Sequence, residues 1–202
     1  MKLFYSSGAC SLSPHIALRE AELPFSLEAV DFMNGKKVPD GRTLMQVNAK
    51  GYVPMLEIEP GVVLTEGAII VQWIADQVPD KKLAPANGTL ERVRLQEWLH
   101  YEATELHKNM SPLYNKIASE EFKVAWRERI VGRLAFVANH LEGREFLCGD
   151  HFTVADGYLF YNLRAWQRAQ KQTITGVLAD YYARMAKRPH VAAALDAEKL
   201  EA

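Results

Sequence analysis

Through the first 78 residues, short apolar runs alternate with helically spaced ones. Lys2-Leu-Phe-Tyr5 reads as a strand. The run from Ser11 to Ala21 reads as a helix ending near Glu22, with Ser13 as cap and Pro14 in its first turn. Phe25-Ser-Leu-Glu-Ala-Val30 alternates as a second strand, and strand, helix, strand at this spacing predicts a right-handed βαβ unit with parallel strands. Asn34 to Arg42 has no period and reads as an irregular loop with a short helix after it. Met55-Leu-Glu-Ile58 and Val62-Val-Leu64 then flank Glu59-Pro-Gly61, where Pro and Gly stand where a tight antiparallel turn takes them. A helix from Gly67 to Gln77 follows, with Ile69, Ile70, Trp73 and Ile74 as its apolar face, until Pro79 ends it.

The pattern changes near residue 80. Residues 79–87 form a polar link with two prolines, and beyond it only helical spacings remain. Leu95, Trp98, Leu99, Ala103, Leu106 and Met110 share one helical stripe, and Ile130, Leu134, Val137 and Leu141 share another within Phe122–Leu141. Thr153-Val-Ala-Asp156 is a capping signal that opens an apolar helix through Leu163. Its staple position falls on Gly157, which has no side chain, with Tyr158 the nearest substitute. A helix over Gly176–Lys187 and a short terminal one complete the chain. The expected organisation is an α/β domain over 1–79, a linker over 80–87 and an all-α domain over 88–202.

Composition narrows the function. A formal charge of −1 over 202 residues excludes a broad cationic footprint for nucleic acid, and no charge block suggests a membrane-binding tail. No apolar run reaches the roughly 18 residues of a membrane span. Met1-Lys-Leu runs directly into a strand without the features of a signal peptide. Two cysteines, Cys10 and Cys148, do not make a disulfide framework, so a reducing cytoplasm is expected.

Cys10 stands between the turn Ser6-Ser-Gly-Ala9 and the first helix. Backbone N–H groups and the helix dipole at such a position favour the thiolate, the nucleophilic form of sulfur. A free cysteine is more often a small buried hydrophobe; the Ser/Gly turn favours the reactive reading. The order βαβ, loop, ββα with a cysteine opening the first helix resembles thioredoxin. Here Cys10-Ser-Leu-Ser13 replaces the two-cysteine motif, so chemistry at Cys10 needs an outside thiol, most simply a small molecule. Cys148 is a poor partner, because Phe146-Leu-Cys-Gly-Asp150 reads as a buried segment between helices.

Seven segments in order now carry a fuller likeness: Met1-Lys-Leu-Phe-Tyr5, Gly8-Ala-Cys-Ser-Leu-Ser13, Tyr52-Val-Pro54, Leu64-Thr-Glu-Gly67, Glu97-Trp-Leu99, Thr104-Glu-Leu-His-Lys108 and Phe152-Thr-Val-Ala-Asp156. Together they resemble the bacterial cysteine-containing (beta) class of glutathione S-transferases across essentially the whole chain. The resemblance implies a thioredoxin-like N-terminal domain with an all-helical C-terminal domain. It implies a cis Val53-Pro54 bond that frees the Val53 backbone to pair with a peptide ligand. It places the γ-glutamyl carboxylate of glutathione at the helix opened by Glu66-Gly67, with Glu66 near the ammonium. Many relatives carry serine where this chain has Gly67. It assigns His107 to the active cysteine, and His100, Thr104, Glu105 and Leu106 to the glutathione site, with His100 replacing an expected asparagine. Either Lys36 or Lys37 meets the glycine carboxylate, and a solvated lysine is the competing reading. Tyr5 is read as a strand residue, with Cys10 holding the sulfur-facing position.

His100, Thr104 and His107 are expected on one helix face. Seven residues at ~1.5 Å rise separate His100 and His107 by about 10 Å, too far for one metal ion, so no metal is expected. His140, His151 and His190 read as solvated. The resulting expectation is a cytoplasmic, homodimeric glutathione transferase without a cofactor. Glutathione is its co-substrate, and a small hydrophobic electrophile is received by the helical domain, with Tyr114 and Trp166 lining that pocket. Cys10 and His107 stabilise the thiolate, or Cys10 forms a mixed disulfide with glutathione. Two readings compete: glutathione-dependent disulfide or peroxide reduction, and a non-catalytic binder of hydrophobic molecules.

Overall fold

The structure, a computed structural model, describes residues 1–170 and 173–201. Lys171, Gln172 and Ala202, all within the helical span expected over 88–202, lie outside the described residues. The chain divides into two compact units: Met1–Ala84 with Lys187 onward, and Pro85–Ala186. The residues from Lys187, assigned from sequence to the helical domain, therefore pack with the first unit. They include a helix, and helices carry no sequence mark of which core they join.

In the first unit, β1 (Lys2–Tyr5), α1 (Leu12–Glu20), β2 (Ser26–Ala29), α2 (Leu44–Val47), β3 (Met55–Glu59), β4 (Val62–Thr65) and α3 (Gly67–Asp76) follow in chain order. The sheet runs β2-β1-β3-β4, with β1 parallel to β2 and the β1–β3 and β3–β4 pairs antiparallel. Leu3 and Phe4 are both buried, because β1 is a central strand covered on both faces. Phe4 and Met55 pack with Val30, Val38, Leu44 and Val53, which seats the loop before β3 on the sheet. The β3–β4 turn closes with Glu59 opposite Val62, and Gly61 takes the positive φ of 81° that this turn requires.

Two details differ from the sequence reading. Ser13 is not the cap of α1: Ser11 holds that position, with helical backbone and no side-chain cap bond, and Ser13 is buried one residue inside the helix. The chain is already turning, with Leu12 N–H bonded to the Ala9 carbonyl at 2.9 Å. On α3 the buried stripe is Ile70, Val71, Ile74 and Ala75, and Ile69 is 55% exposed. At 3.6 residues per turn that stripe centres one step past Ile69, on the side facing the sheet.

The second unit holds α4 (Leu90–Tyr101), a π-helical turn (Glu102–His107), α5 (Lys108–Met110), α6 (Glu120–Leu141), α7 (Val154–Gln170) and α8 (Val177–Ala186). Thr89 and Ser119 cap α4 and α6 by accepting the N–H groups of Arg92 and Phe122, each at 3.2 Å. Ile130, Leu134, Val137 and Leu141 are the buried face of α6, as their spacing predicts. The fully buried Asp156 carboxylate accepts Thr153 N–H at 2.8 Å and Thr153 O–H at 2.9 Å. It also accepts Leu147 N–H at 2.9 Å and Tyr181 O–H at 2.8 Å, so the capping signal also fixes the Phe146–Asp150 connection. α7 runs to Gln170, seven residues past its expected end at Leu163. His140 is half-buried rather than solvated: its ring lies 4.5 Å from Trp98, and Nε2 is bonded to the Leu147 carbonyl at 2.9 Å.

In the final segment, Pro189 opens α9 (Pro189–Ala197), which packs on α1 within the first unit. Among the described residues, no helix is long and apolar enough to cross a membrane.

Candidate active site

The loop from Ser6 to Ser11 is fixed before Cys10 is reached. The Ser11 hydroxyl accepts Ser6 N–H and donates to the Ser6 carbonyl, each at 3.2 Å. Gly8, at φ 67°, donates its N–H to Glu198 Oε2 at 2.9 Å, and Ser7 O–H donates to the Glu198 carbonyl at 2.7 Å. The other carboxylate oxygen of Glu198 lies 2.8 Å from His15 Nδ1, with both side chains wholly buried, and Arg19 Nε–H donates to His15 Nε2 at 2.8 Å. Since Arg19 has no proton to accept, His15 carries its proton on Nδ1 and gives it to Glu198. None of this clamp was visible in sequence, because Glu198 is 190 residues from Gly8.

Cys10 lies partly exposed at the end of that loop, and its thiol donates to the Val53 carbonyl at 3.3 Å. The Val53-Pro54 bond is cis. Glu66 precedes α3 with φ 67° and ψ 111°, and its carbonyl accepts Ile69 and Ile70 N–H at 2.9 Å. A side chain at Gly67 has room: a Cβ there would meet Pro54 Cγ at 3.7 Å, an ordinary contact. Glu66 is exposed, and its Oε1 accepts Lys50 Nζ at 2.6 Å and Tyr52 O–H at 2.9 Å. The hydrogen bond to Glu66 raises the pKa of both Lys50 and Tyr52. Lys50 and Tyr52 were not singled out from sequence; a lysine and a tyrosine beside Val53-Pro54, facing an acidic helix start, were the available signal.

Lys36 has φ 54° and holds its ammonium 5.9 Å above the Phe32 ring. Lys37 is tied by its backbone to Asp31 on one side and Thr43 on the other. Lys36 is backbone-paired too, its carbonyl accepting Leu44 N–H at 2.7 Å, so backbone pairing does not separate the two lysines.

In the second unit, His100, Thr104 and Glu105 line an open groove of about 510 Å³ with Val93, Gln96, Glu97 and Tyr101. Thr104 donates to the His100 carbonyl at 2.9 Å, and Glu105 pairs with Arg133 at 2.8 Å and Arg129 at 3.6 Å. Leu106 is wholly buried, so its side chain belongs to the core and not to an open site. His107 is not among the groove's lining. The π-helical turn takes more residues per revolution than an α-helix, which carries His107 off the His100–Thr104 face expected from sequence. Its Nδ1 instead lies 3.0 Å from the Tyr158 hydroxyl, and its ring sits edge-on to Tyr161 at 5.2 Å. Burial lowers the His107 pKa to about 4, with Lys108 adding to the effect, so the imidazole is neutral near pH 7. Tyr114, though 56% exposed, donates to the Ala165 carbonyl at 3.1 Å, next to the buried Trp166. Cys148 is half-buried and its thiol is pushed up to about 12 by burial, which leaves it without thiolate character.

A thioredoxin-like sheet with a single cysteine at the head of its first helix, and a cis-proline carbonyl at the sulfur, defines a thiol-handling protein whose second unit is all-helical. The comparisons agree. Residues 8–77 match the family "Glutathione S-transferase, N-terminal domain" and residues 104–198 match "Glutathione S-transferase, C-terminal domain". The chain belongs to the glutathione S-transferase family. It is 44% identical to glutathione S-transferase GstA of Escherichia coli O157:H7, over 100% of both chains. Among solved structures it is similar to BphK, a bacterial transferase in a ternary complex, with 49% identity, a TM-score of 0.94 and coverage of 99% of this chain and 100% of that one. It is also similar to the bacterial beta-class transferase of Sphingomonas chungbukensis, with 42% identity, a TM-score of 0.90 and full coverage of both chains.

Proposed function

We propose that this protein conjugates the thiolate of glutathione to small hydrophobic electrophiles, and that Cys10 additionally exchanges disulfides with glutathione. The observation that carries the reading is the placement of Cys10 Sγ 3.3 Å from the Val53 carbonyl, the acceptor that an extended thiol peptide would use. A cysteinyl N–H bonded at Val53 sets the ligand's own sulfur beside Cys10.

The roles then follow residue by residue. Val53 pairs with the peptide backbone. Gly67 offers its backbone N–H to the γ-glutamyl carboxylate, and the Glu66 carboxylate, which accepts Lys50 and Tyr52 on Oε1, pairs with the ammonium. Lys36, with Lys37 competing for the role, meets the glycine carboxylate. His100, Thr104, Glu105 and the Leu106 backbone belong to the helical unit's share of the glutathione site, and Tyr114 and Trp166 to that of the electrophile. His107, as a neutral donor, stabilises sulfur. Conjugation gains from a lowered glutathione pKa and from holding the thiolate against an electrophilic carbon. In exchange, the Cys10 thiolate attacks one sulfur of oxidised glutathione. The old S–S bond breaks, a Cys10–glutathione disulfide forms, and one glutathione thiolate leaves. A homodimer acting in the reducing cytoplasm, without a cofactor, completes the proposal.

The test is the intact mass of wild type and Cys10→Ala after incubation with oxidised glutathione, with an aryl-halide conjugation assay on the same samples. One adduct on wild type alone, with Cys148 unmodified, and conjugation surviving in Cys10→Ala are expected. No adduct and no turnover would refute the enzymatic reading.

A further inference from the structure

The polar contact of His107 that bears on its chemistry lies inside its own unit. Tyr158, on α7, is 3% exposed, and its hydroxyl sits 3.0 Å from His107 Nδ1. The two rings meet nearly edge to face, at 6.0 Å and 74°, and Tyr161 closes on the imidazole at 5.2 Å and 86°. Tyr161 also stacks against Tyr158 at 6.2 Å and 28°, so three rings fix one another. The imidazole therefore has one defined orientation and one defined hydrogen-bond partner on Nδ1.

A neutral imidazole has one N–H donor and one bare acceptor nitrogen, and a neighbour decides which is which. Between a phenol and an imidazole, the phenol is the stronger acid and the bare ring nitrogen the stronger base. The shared proton therefore sits on the tyrosine oxygen, and Nδ1 accepts.

We propose that Tyr158 is a positioning residue for the transferase reaction: by donating to Nδ1 it holds His107 as the Nε2–H tautomer, a neutral donor rather than a bare acceptor on the ring's other nitrogen. The proposal rests on the reading above that His107 serves the glutathione thiolate. It assigns α7 a part in the chemistry through its side of the three-ring cluster, and it explains why a histidine that stays uncharged remains useful. A neutral N–H stabilises a thiolate without the desolvation that a buried imidazolium carries.

The tautomer is read directly from the long-range nitrogen–proton NMR spectrum of the wild-type protein near neutral pH, with His107→Ala assigning the signal. The expected pattern has a bare Nδ1 and a protonated Nε2. A protonated Nδ1 overturns the proposal, and since this is read on the wild type it holds even if a variant folds poorly. Tyr158→Phe, which keeps the ring, is expected to mix the two tautomers. It should lower kcat about tenfold, the rate equivalent of one neutral hydrogen bond, with the KM for glutathione changed less. Unchanged kcat in Tyr158→Phe with the wild-type tautomer retained also refutes it. Unchanged kcat in His107→Ala refutes the underlying reading, whereas a kcat loss there with a protonated Nδ1 refutes only the part given to Tyr158.

Discussion

Removing the Glu198 carboxylate tests the account of how the Cys10 loop is held. Glu198 is wholly buried and accepts from Gly8 N–H and His15 Nδ1–H at 2.9 and 2.8 Å. Glu198→Ala strands both donors, and each buried hydrogen-bonding group left unmade costs about 1–3 kcal/mol. The pair therefore predicts a loss of roughly 2–6 kcal/mol, a large share of the 5–15 kcal/mol typical of folded proteins. At about 2–4 °C per kcal/mol for a chain of this size, the melting temperature should fall by on the order of 10 °C. Glu198→Gln keeps one carbonyl acceptor and should lose about half as much. The loop should also loosen two residues before Cys10, so alkylation of the Cys10 thiol should accelerate in Glu198→Ala. The assays are thermal unfolding and the rate of thiol labelling followed by mass. A control is Glu22→Ala, which removes an exposed ion pair with Lys81 and should leave both readings near wild type. If Glu198→Ala melts within a degree of wild type and labels at the same rate, the clamp does not hold the loop and the reasoning fails.

Two further outcomes follow from the geometry. Gly67→Ser places its Cβ 3.7 Å from Pro54 Cγ without a clash, so it should fold normally, gain about 0.5–1 kcal/mol from lost glycine freedom, and lower the KM for glutathione through the added hydroxyl; a raised KM would count against the α3 start as the γ-glutamyl site. His107 binds its proton less readily folded, near pH 4, than unfolded, near 6.5, so the unfolded chain holds more protons between those values. Stability from this residue is complete above pH 6.5 and is lost as pH falls toward 4; urea midpoints measured across that range in wild type and His107→Phe should converge as the pH drops, and parallel curves would contradict the burial argument.

Much of the fold was legible in the chain. Period-two runs and turn residues placed all four strands, the helical stripes placed α1, α3, α4 and α6 to within a few residues, and the capping signal placed the start of α7 but not its end. The Thr153–Asp156 signal was read from spacing alone and appears as a carboxylate bonded to Thr153. What failed was what depends on a neighbour. Ser13 looked like a cap, yet the turn at Ala9–Leu12 begins the helix earlier. Ile69 looked buried, yet the sheet meets α3 one step further on. His107 looked aligned with His100, yet a π-helical turn rotates it away, and nothing in Glu102-Ala-Thr-Glu-Leu-His107 marks that turn.

By itself, the sequence determined the elements, the thioredoxin-like order, the reactive candidate Cys10 and the family, because periodicity, turn chemistry and short motifs are local properties of the chain. Tertiary structure alone decided which groups meet: the buried Glu198 with Gly8 and His15, the exposed Glu66 with Lys50 and Tyr52, and the buried Tyr158 with His107. The buried pairs form because a polar group taken out of water must find a partner in the packed interior, and which partner is near depends on how distant segments fold together, not on their separation along the chain.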